Sequence, residues 1–228
     1  MKIIVVAGNY APLAPCEPTT DDEHNKMLAR ALYKKVEPVV FTKADSTLLK
    51  NHKPFFLPDW TSRVDYEAHL VVRISRLGKS IPVRFAHRYY DAVTVGIDFT
   101  ARHLLEQARR EGLPWTMGKE FDGSTVIGDW QLLPPAVLPD RCDAPSLPAA
   151  FSEHRFRLDV NGITVQQART GDLRWSVDEL TSYVSRFFTL KTGDLLFTGT
   201  PPGWGPAHID DHLEGWLGDK KVLDFHCK

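Results

Sequence analysis

The chain has 228 residues, 43% of them hydrophobic and 25% charged, with a formal net charge of −1. That composition suits a globular protein with a sizeable core, and so small a net charge gives no electrostatic reason to expect nucleic acid as a partner. No apolar run approaches the length of a membrane span, and the three cysteines, Cys16, Cys142 and Cys227, form neither a disulfide framework nor a zinc ribbon, so a reducing cytoplasm is the expected setting.

Met1–Ala7 reads as a buried strand, because proline-rich sequence follows the short apolar run without a cleavage site. Asn9–Asp22, with Pro12, Pro15 and Pro18, reads as a loop. Asp21–Lys35 places acidic residues first and basic residues last, which suits a short helix. Glu37–Thr42 is expected to be a strand, Lys50–Trp60 a proline-punctuated loop, and Tyr66–Leu77 and Ala92–Asp98 two further strands. Thr100–Glu111 predicts a helix that Gly112 and Pro114 end. The proline-rich stretch Leu132–Pro148 is a surface connection. Arg155–Val160 and Ile163–Gln167 flank Asn161-Gly162, a strong hairpin signal because both residues tolerate positive φ. Ser176 and Glu179 form a capping box before the helix Leu180–Phe188. Asp194–Thr198 and Val222–His226 close the chain as strands, and the whole pattern predicts an α+β, mainly β roll.

Several residues carry candidate chemistry. Alternate residues of a strand share a face, so Glu67 and His69 point the same way and are able to hold one cation together. Alone, such a pair is more often a solvated strand face. Asp98 ends an apolar strand directly before a helix, where it is either a site ligand or an ordinary helix cap. The glycine-rich loop from Gly199 to Gly205 brings backbone N–H groups and the Thr200 hydroxyl within reach of an anion, or is simply a tight turn. Lys119 beside Gly118 is, by itself, a surface lysine.

Together these pieces resemble the fumarylacetoacetate hydrolase family. Its pattern runs Tyr-Glu-x-Glu-Leu, Val-Gly-x-Asp-x-Thr-Ala-Arg-Asp, Gly-Lys-x-Phe-Asp and Gly-Asp-x-x-x-Thr-Gly-Thr-Pro-x-Gly-x-Gly. The chain has Tyr66-Glu67-Ala68-His69-Leu70, then Val95-Gly96-Ile97-Asp98-Phe99-Thr100-Ala101-Arg102-His103, then Gly118-Lys119-Glu120-Phe121-Asp122, then the Gly193–Gly205 loop, in the same order. It looks like the bacterial members labelled 2-hydroxyhepta-2,4-diene-1,7-dioate isomerases. The resemblance implies a mixed β-roll over residues 1–228, with 1–60 as N-terminal strand plus lid and 61–228 as the core. It implies a homodimer, a small 2-oxo or β-diketo acid as substrate, and Mg²⁺ or Mn²⁺ as cofactor; charge and hydropathy give no reason to expect a nucleic-acid or membrane partner. The family reactions are hydrolysis, decarboxylation and isomerisation. Carried over by position, Glu67, His69 and Asp98 are the metal ligands and Lys119 stands near the developing oxyanion. Lys43, Arg102, Thr200, Gly199 and Gly203 line the substrate's place.

The chain also departs from the pattern. His69 replaces the second metal glutamate, which is expected to weaken Mg²⁺ and shift preference toward a transition metal. His103 replaces an aspartate and is a candidate catalytic group; Leu105 replaces a glutamine that helps place water, and Ala44 the proline after Lys43. The lid's acid–base pair is Leu13 and Cys16 here; Glu23 and His24 lie nearby and either substitute for it, if the lid folds differently, or are solvated residues in the first turn of a helix. These losses leave two readings: an enzyme acting through a metal-stabilised enolate, or a non-catalytic binding protein of the same fold. A nucleophile-based hydrolase has no support, since no Gly-x-Ser-x-Gly elbow occurs.

Overall fold

In a computed structural model, residues 1–11, 31, 34–49, 52–134 and 154–228 are described. Most of the expected helix Asp21–Lys35, most of the Leu132–Pro148 connection, Cys142 and the lid residues Leu13, Cys16, Glu23 and His24 lie outside them.

The strands are β1 (Ile3–Ala7), β2 (Val39–Lys43), β3 (Leu48–Leu49), β4 (Val64–Tyr66), β5 (Ala68–Ile74), β6 (Tyr90–Asp98), β7 (Thr100–Ala101) and β8 (Thr125–Ile127). They continue as β9 (Gln131–Leu132), β10 (Arg155–Val160), β11 (Ile163–Arg169), β12 (Leu195–Phe197), β13 (Gly205–Pro206), β14 (His212–Leu217) and β15 (Lys220–His226). A large mixed sheet runs β2-β1-β12-β5-β6-β8-β3, with β9 also paired to β6; β11-β10-β14-β15 forms a second sheet and β13-β4-β7 a third. The fold is mainly β, as the sequence predicts. Among the described residues no helix is long and apolar enough to cross a membrane.

The large sheet is covered on both faces. Ile4, Val6, Leu70, Val72, Val95 and Leu196 point to the main core, against Phe156, Leu158 and Phe225 of the second sheet and Leu180 and Val184 of the helix Val177–Phe187. Their alternate neighbours Ile3, Val5, Val71, Leu195 and Phe197 form a smaller cluster on the other face, with Phe41 and Ile127. Side chains of period two explain the division. The register carries the polar residues to this second face: Lys43 pairs with Ile3, His69 with Gly96, and Asp98 with Thr125. Gly96 is required opposite His69, because a Cβ there would lie 2.7 Å from Val71 and 2.8 Å from the Val126 carbonyl.

Several local expectations are met in detail. Asn161 (φ 53°) and Gly162 (φ 77°) make the two-residue hairpin turn between β10 and β11. Ser176 accepts from the Glu179 N–H while the Glu179 carboxylate accepts from the Ser176 N–H, at 3.3 and 2.8 Å. Gly112 ends the helix Arg102–Glu111 in the left-handed region. Two expectations need correction. The strand Tyr66–Leu77 is two strands broken at Glu67, because β4 pairs with β7 and β13 while β5 joins the large sheet. The helix expected from Thr100 starts at Arg102, since Thr100 and Ala101 pair with β4 instead.

Candidate active site

Glu67 sits where the chain passes from the third sheet to the large one, and its carbonyl accepts the Asp98 N–H at 2.9 Å. That bond ties the end of β6 to the break between β4 and β5. Glu67, His69 and Asp98 each bring one ligand atom within 4.8 Å of the others. Asp98 is not a helix cap: Ala101 stands at the cap position, and Asp98 is fully buried. Its Oδ1 accepts from Lys43 Nζ at 2.6 Å and its Oδ2 from Lys119 Nζ at 2.8 Å.

Lys119 is no surface lysine. It is 4% exposed at the end of the short helix Thr116–Lys119 and donates to Glu67 Oε2 at 3.0 Å, to Asp98 Oδ2 and to the Thr100 hydroxyl at 2.6 Å. Gly118 lets this helix approach Leu105, whose backbone and Cβ would be 2.9 Å from an added Cβ. Lys43 also donates to the Ser124 carbonyl. Arg102, expected to bind substrate, donates to Asp65 at 2.6 Å and to Glu67 Oε1 at 3.0 Å and lies over the Trp204 ring. These contacts tie Arg102 to Asp65 and Glu67.

Three carboxylates, of Asp65, Glu67 and Asp98, therefore face three buried cations, of Lys43, Arg102 and Lys119, with Arg63 reaching Asp65 from the rim. Burial alone would raise the Glu67 carboxyl, but Lys119 and Arg102 outweigh it and hold the group well below the usual carboxylate range. Burial draws the Lys43 ammonium below its usual value against the pull of Asp98. Burial also draws the His69 imidazole down to about 4, opposed by Asp98 and Glu67.

The glycine-rich loop meets the cluster through His69. The Gly199 N–H donates to His69 Nδ1 at 3.1 Å. Gly199, at φ 120°, passes so close to Asn9 that a Cβ would lie 2.7 Å from the Asn9 Cβ. Asn9 in turn donates to the Trp175 and Thr198 carbonyls. Thr200 and Gly203 of the loop meet the hairpin strand β11. The Thr200 hydroxyl accepts from the Gln166 side-chain amide at 2.9 Å, and Gly203, at φ 103°, passes so close to the Val165 carbonyl that a Cβ would clash with it. His103 is exposed on the first turn of its helix, bonded to Thr61, and is not part of the cluster.

Sequence reasoning missed Asp65, Thr100, Gln166 and Asn9 as supports. Asp65 had a signal, since it is the acidic neighbour on the same strand as the Tyr-Glu motif. Gln166 had none: the pair Gln166-Gln167 in a hairpin strand gives no hint that the Gln166 side-chain carbonyl caps the Ala68 N–H at 2.9 Å.

The two carboxylates suit a hard divalent cation. Glu67 Oε2 and Asp98 Oδ2 already converge on one cationic point, Lys119 Nζ, and oxygen donors of this kind match Mg²⁺ or Mn²⁺. Carboxylates, ammoniums and a guanidinium buried together on a mainly β scaffold are the parts of a site for a small anion and a cation. The family model of the fumarylacetoacetate (FAA) hydrolase C-terminal domain matches residues 2–228, and the chain belongs to that family. It is 35% identical to an uncharacterized protein of Pyrococcus abyssi, over 98% of this chain and 88% of that one. It is 32% identical to the mitochondrial oxaloacetate tautomerase FAHD1 of Mus musculus, over 100% of this chain and 91% of that one. Fumarylpyruvate hydrolase from Pseudomonas aeruginosa, solved in complex with Mn²⁺ and pyruvate, is similar in structure, with a TM-score of 0.79, 29% identity, and 100% and 88% of the two chains covered.

Proposed function

We propose that this chain is a divalent-metal-dependent enzyme of a small 2-oxo acid and that its reaction is keto–enol interconversion. The observation that carries the reading is the buried Lys119 ammonium held between Glu67 and Asp98 at 3.0 and 2.8 Å. Glu67 and Asp98 would hold Mg²⁺ or Mn²⁺, which supplies Lewis-acid polarisation of the 2-oxo group when bound.

The chain's own residues do the rest. With Glu67 and Asp98 on the metal, the Lys119 ammonium would be free to place its positive charge where negative charge grows on the substrate oxygen as a proton passes from the neighbouring carbon to solvent water. Thr100, bonded to both Lys119 and Glu67, sets the ammonium's direction. Arg102 and Lys43 position the two carboxylates and take no part in the chemistry themselves. A polar group to place a hydrolytic water is missing at one expected position: Leu105 is fully buried and packs beneath Gly118. Tautomerisation needs no positioned water nucleophile, so the apolar Leu105 bears on it less than on hydrolysis. The tautomerase name of a relative at 32% identity supports the same choice.

The test is enol absorbance with oxaloacetate, an acylpyruvate and a 2-hydroxydienoate, with Mn²⁺ or Mg²⁺ present. Metal-dependent acceleration of oxaloacetate enol decay, without acylpyruvate cleavage, is the expected result. Acylpyruvate cleavage would make the chain a hydrolase. No acceleration of any substrate by metal-loaded protein would favour a non-catalytic binder of oxo acids.

A further inference from the structure

The structure assigns His69 to a role opposite in polarity to that of a metal ligand: its Nε2–H is a hydrogen-bond donor to an oxygen of the bound oxo acid. This rests on the reading of the site as one for an oxo acid, and it removes His69 from the metal's ligand set.

The argument starts at the other ring nitrogen. His69 Nδ1 accepts the Gly199 N–H, so Nδ1 carries a lone pair and no proton. In a neutral imidazole the proton is then on Nε2. A ligating nitrogen must offer a lone pair, and Nε2–H has none to offer. Turning the ring over does not help, because a ring C–H would then oppose the Gly199 N–H. Nor does the loop yield readily: Gly199 packs against Asn9, and the Asn9 side chain is anchored to the Trp175 and Thr198 carbonyls. The ring itself packs edge-on to Phe197, with centroids 5.3 Å apart.

A carboxylate in this position behaves differently. One oxygen would accept the Gly199 N–H and the second would still be an acceptor facing a cation. Imidazole in the same place keeps the bond to the loop but ends in a hydrogen. His69 is 1% exposed, and its Nε2 has no hydrogen-bond partner among the described residues. A buried donor without an acceptor is costly, which marks a place that a ligand atom completes. With carboxylates nearby for a cation, the fitting acceptor is a carboxylate or enolate oxygen of a small oxo acid. The shift toward a transition metal expected for an imidazole ligand then does not follow, because the metal is held by oxygen alone.

The test combines ¹⁵N NMR of the histidine ring with Mn²⁺ binding followed by EPR and oxalate binding to the Mn²⁺-loaded protein. The neutral Nε2–H tautomer is expected, before and after Mn²⁺ addition. In His69→Gln the amide oxygen takes over the bond to Gly199 and its NH₂ the donation, so Mn²⁺ and oxalate affinities should stay within about threefold. His69→Ala should leave Mn²⁺ affinity unchanged and weaken oxalate by about tenfold, the scale of a bond to a charged acceptor. His69→Glu should raise Mn²⁺ affinity about tenfold or more, as added ligand charge does in divalent-cation sites. An Nδ1–H tautomer, or Mn²⁺ affinity falling about tenfold in both His69→Gln and His69→Ala, would overturn the assignment. Wild-type protein that binds Mn²⁺ but not oxalate would overturn the oxo-acid reading instead, and the tautomer would still decide whether His69 ligates metal.

Discussion

Lys119→Ala is expected to lower kcat for oxaloacetate tautomerisation by about 10²- to 10³-fold, the usual cost of removing one charge-stabilising donor. KM should change much less, because the charge Lys119 answers grows mainly as the proton leaves carbon. The fold should survive. Glu67 keeps Arg102 and Thr100, and Asp98 keeps Lys43, so neither carboxylate is left buried and alone. Lys119→Arg should not rescue activity. The guanidinium is larger and planar, and the space between Glu67, Asp98 and Thr100 is set by contacts of 2.6 to 3.0 Å to one compact ammonium. Steady-state kinetics with a thermal melt separates the two contributions. Unchanged kcat with a large fall in Tm would make Lys119 a structural residue.

Asp98→Ala should be the most destabilising change in the site. Among the described residues, the completely buried Lys43 ammonium would retain only the Ser124 carbonyl, while Lys119 would lose its shortest carboxylate contact. Breaking a buried pair by removing one partner typically costs about 3–5 kcal/mol, because a charge remains without compensation. In a chain of this size that is a fall in Tm on the order of 10 °C. Asp98→Asn keeps the shape and an acceptor and should cost less. The double change Lys43→Met with Asp98→Ala should recover part of the loss, since an apolar replacement of the whole pair removes the stranded charge. Calorimetric Tm values for the four proteins of that cycle check the claim. A double variant no more stable than Asp98→Ala would contradict it.

The parts of the molecule most legible in the sequence are those decided by local chemistry. Asn161-Gly162 predicts its turn because few residues accept two successive positive φ values. Ser176 and Glu179 predict a helix start because their reciprocal bonds are local. Ordered motifs carried the family, and with it the proximity of Glu67 to Asp98. What the sequence could not show depends on long-range pairing. The break at Glu67 arises because β4 and β5 belong to different sheets, which a run of β-forming residues does not reveal. The contacts of Arg102 with Asp65 and Trp204 likewise join residues 37 and 102 positions apart, which no local pattern reveals. His103 reads as part of the site because it follows the motif, yet a helical step turns it outward to Thr61. Lys119 passes for a surface residue until Gly118 and Leu105 bring its helix against the sheet. His69 is the clearest case. Its residue type suggests a metal ligand, and only the bond from Gly199, 130 positions away in the chain, shows which nitrogen carries the proton.

A crystal structure with Mn²⁺ and oxalate puts the account to its most direct trial. The predicted picture is an anomalous manganese peak between Glu67 and Asp98, with oxalate beside it and its oxygens within hydrogen-bonding distance of Lys119 Nζ and His69 Nε2. Manganese bound elsewhere, or those two carboxylates still closed on Lys119 with oxalate excluded at saturating concentration, would contradict it.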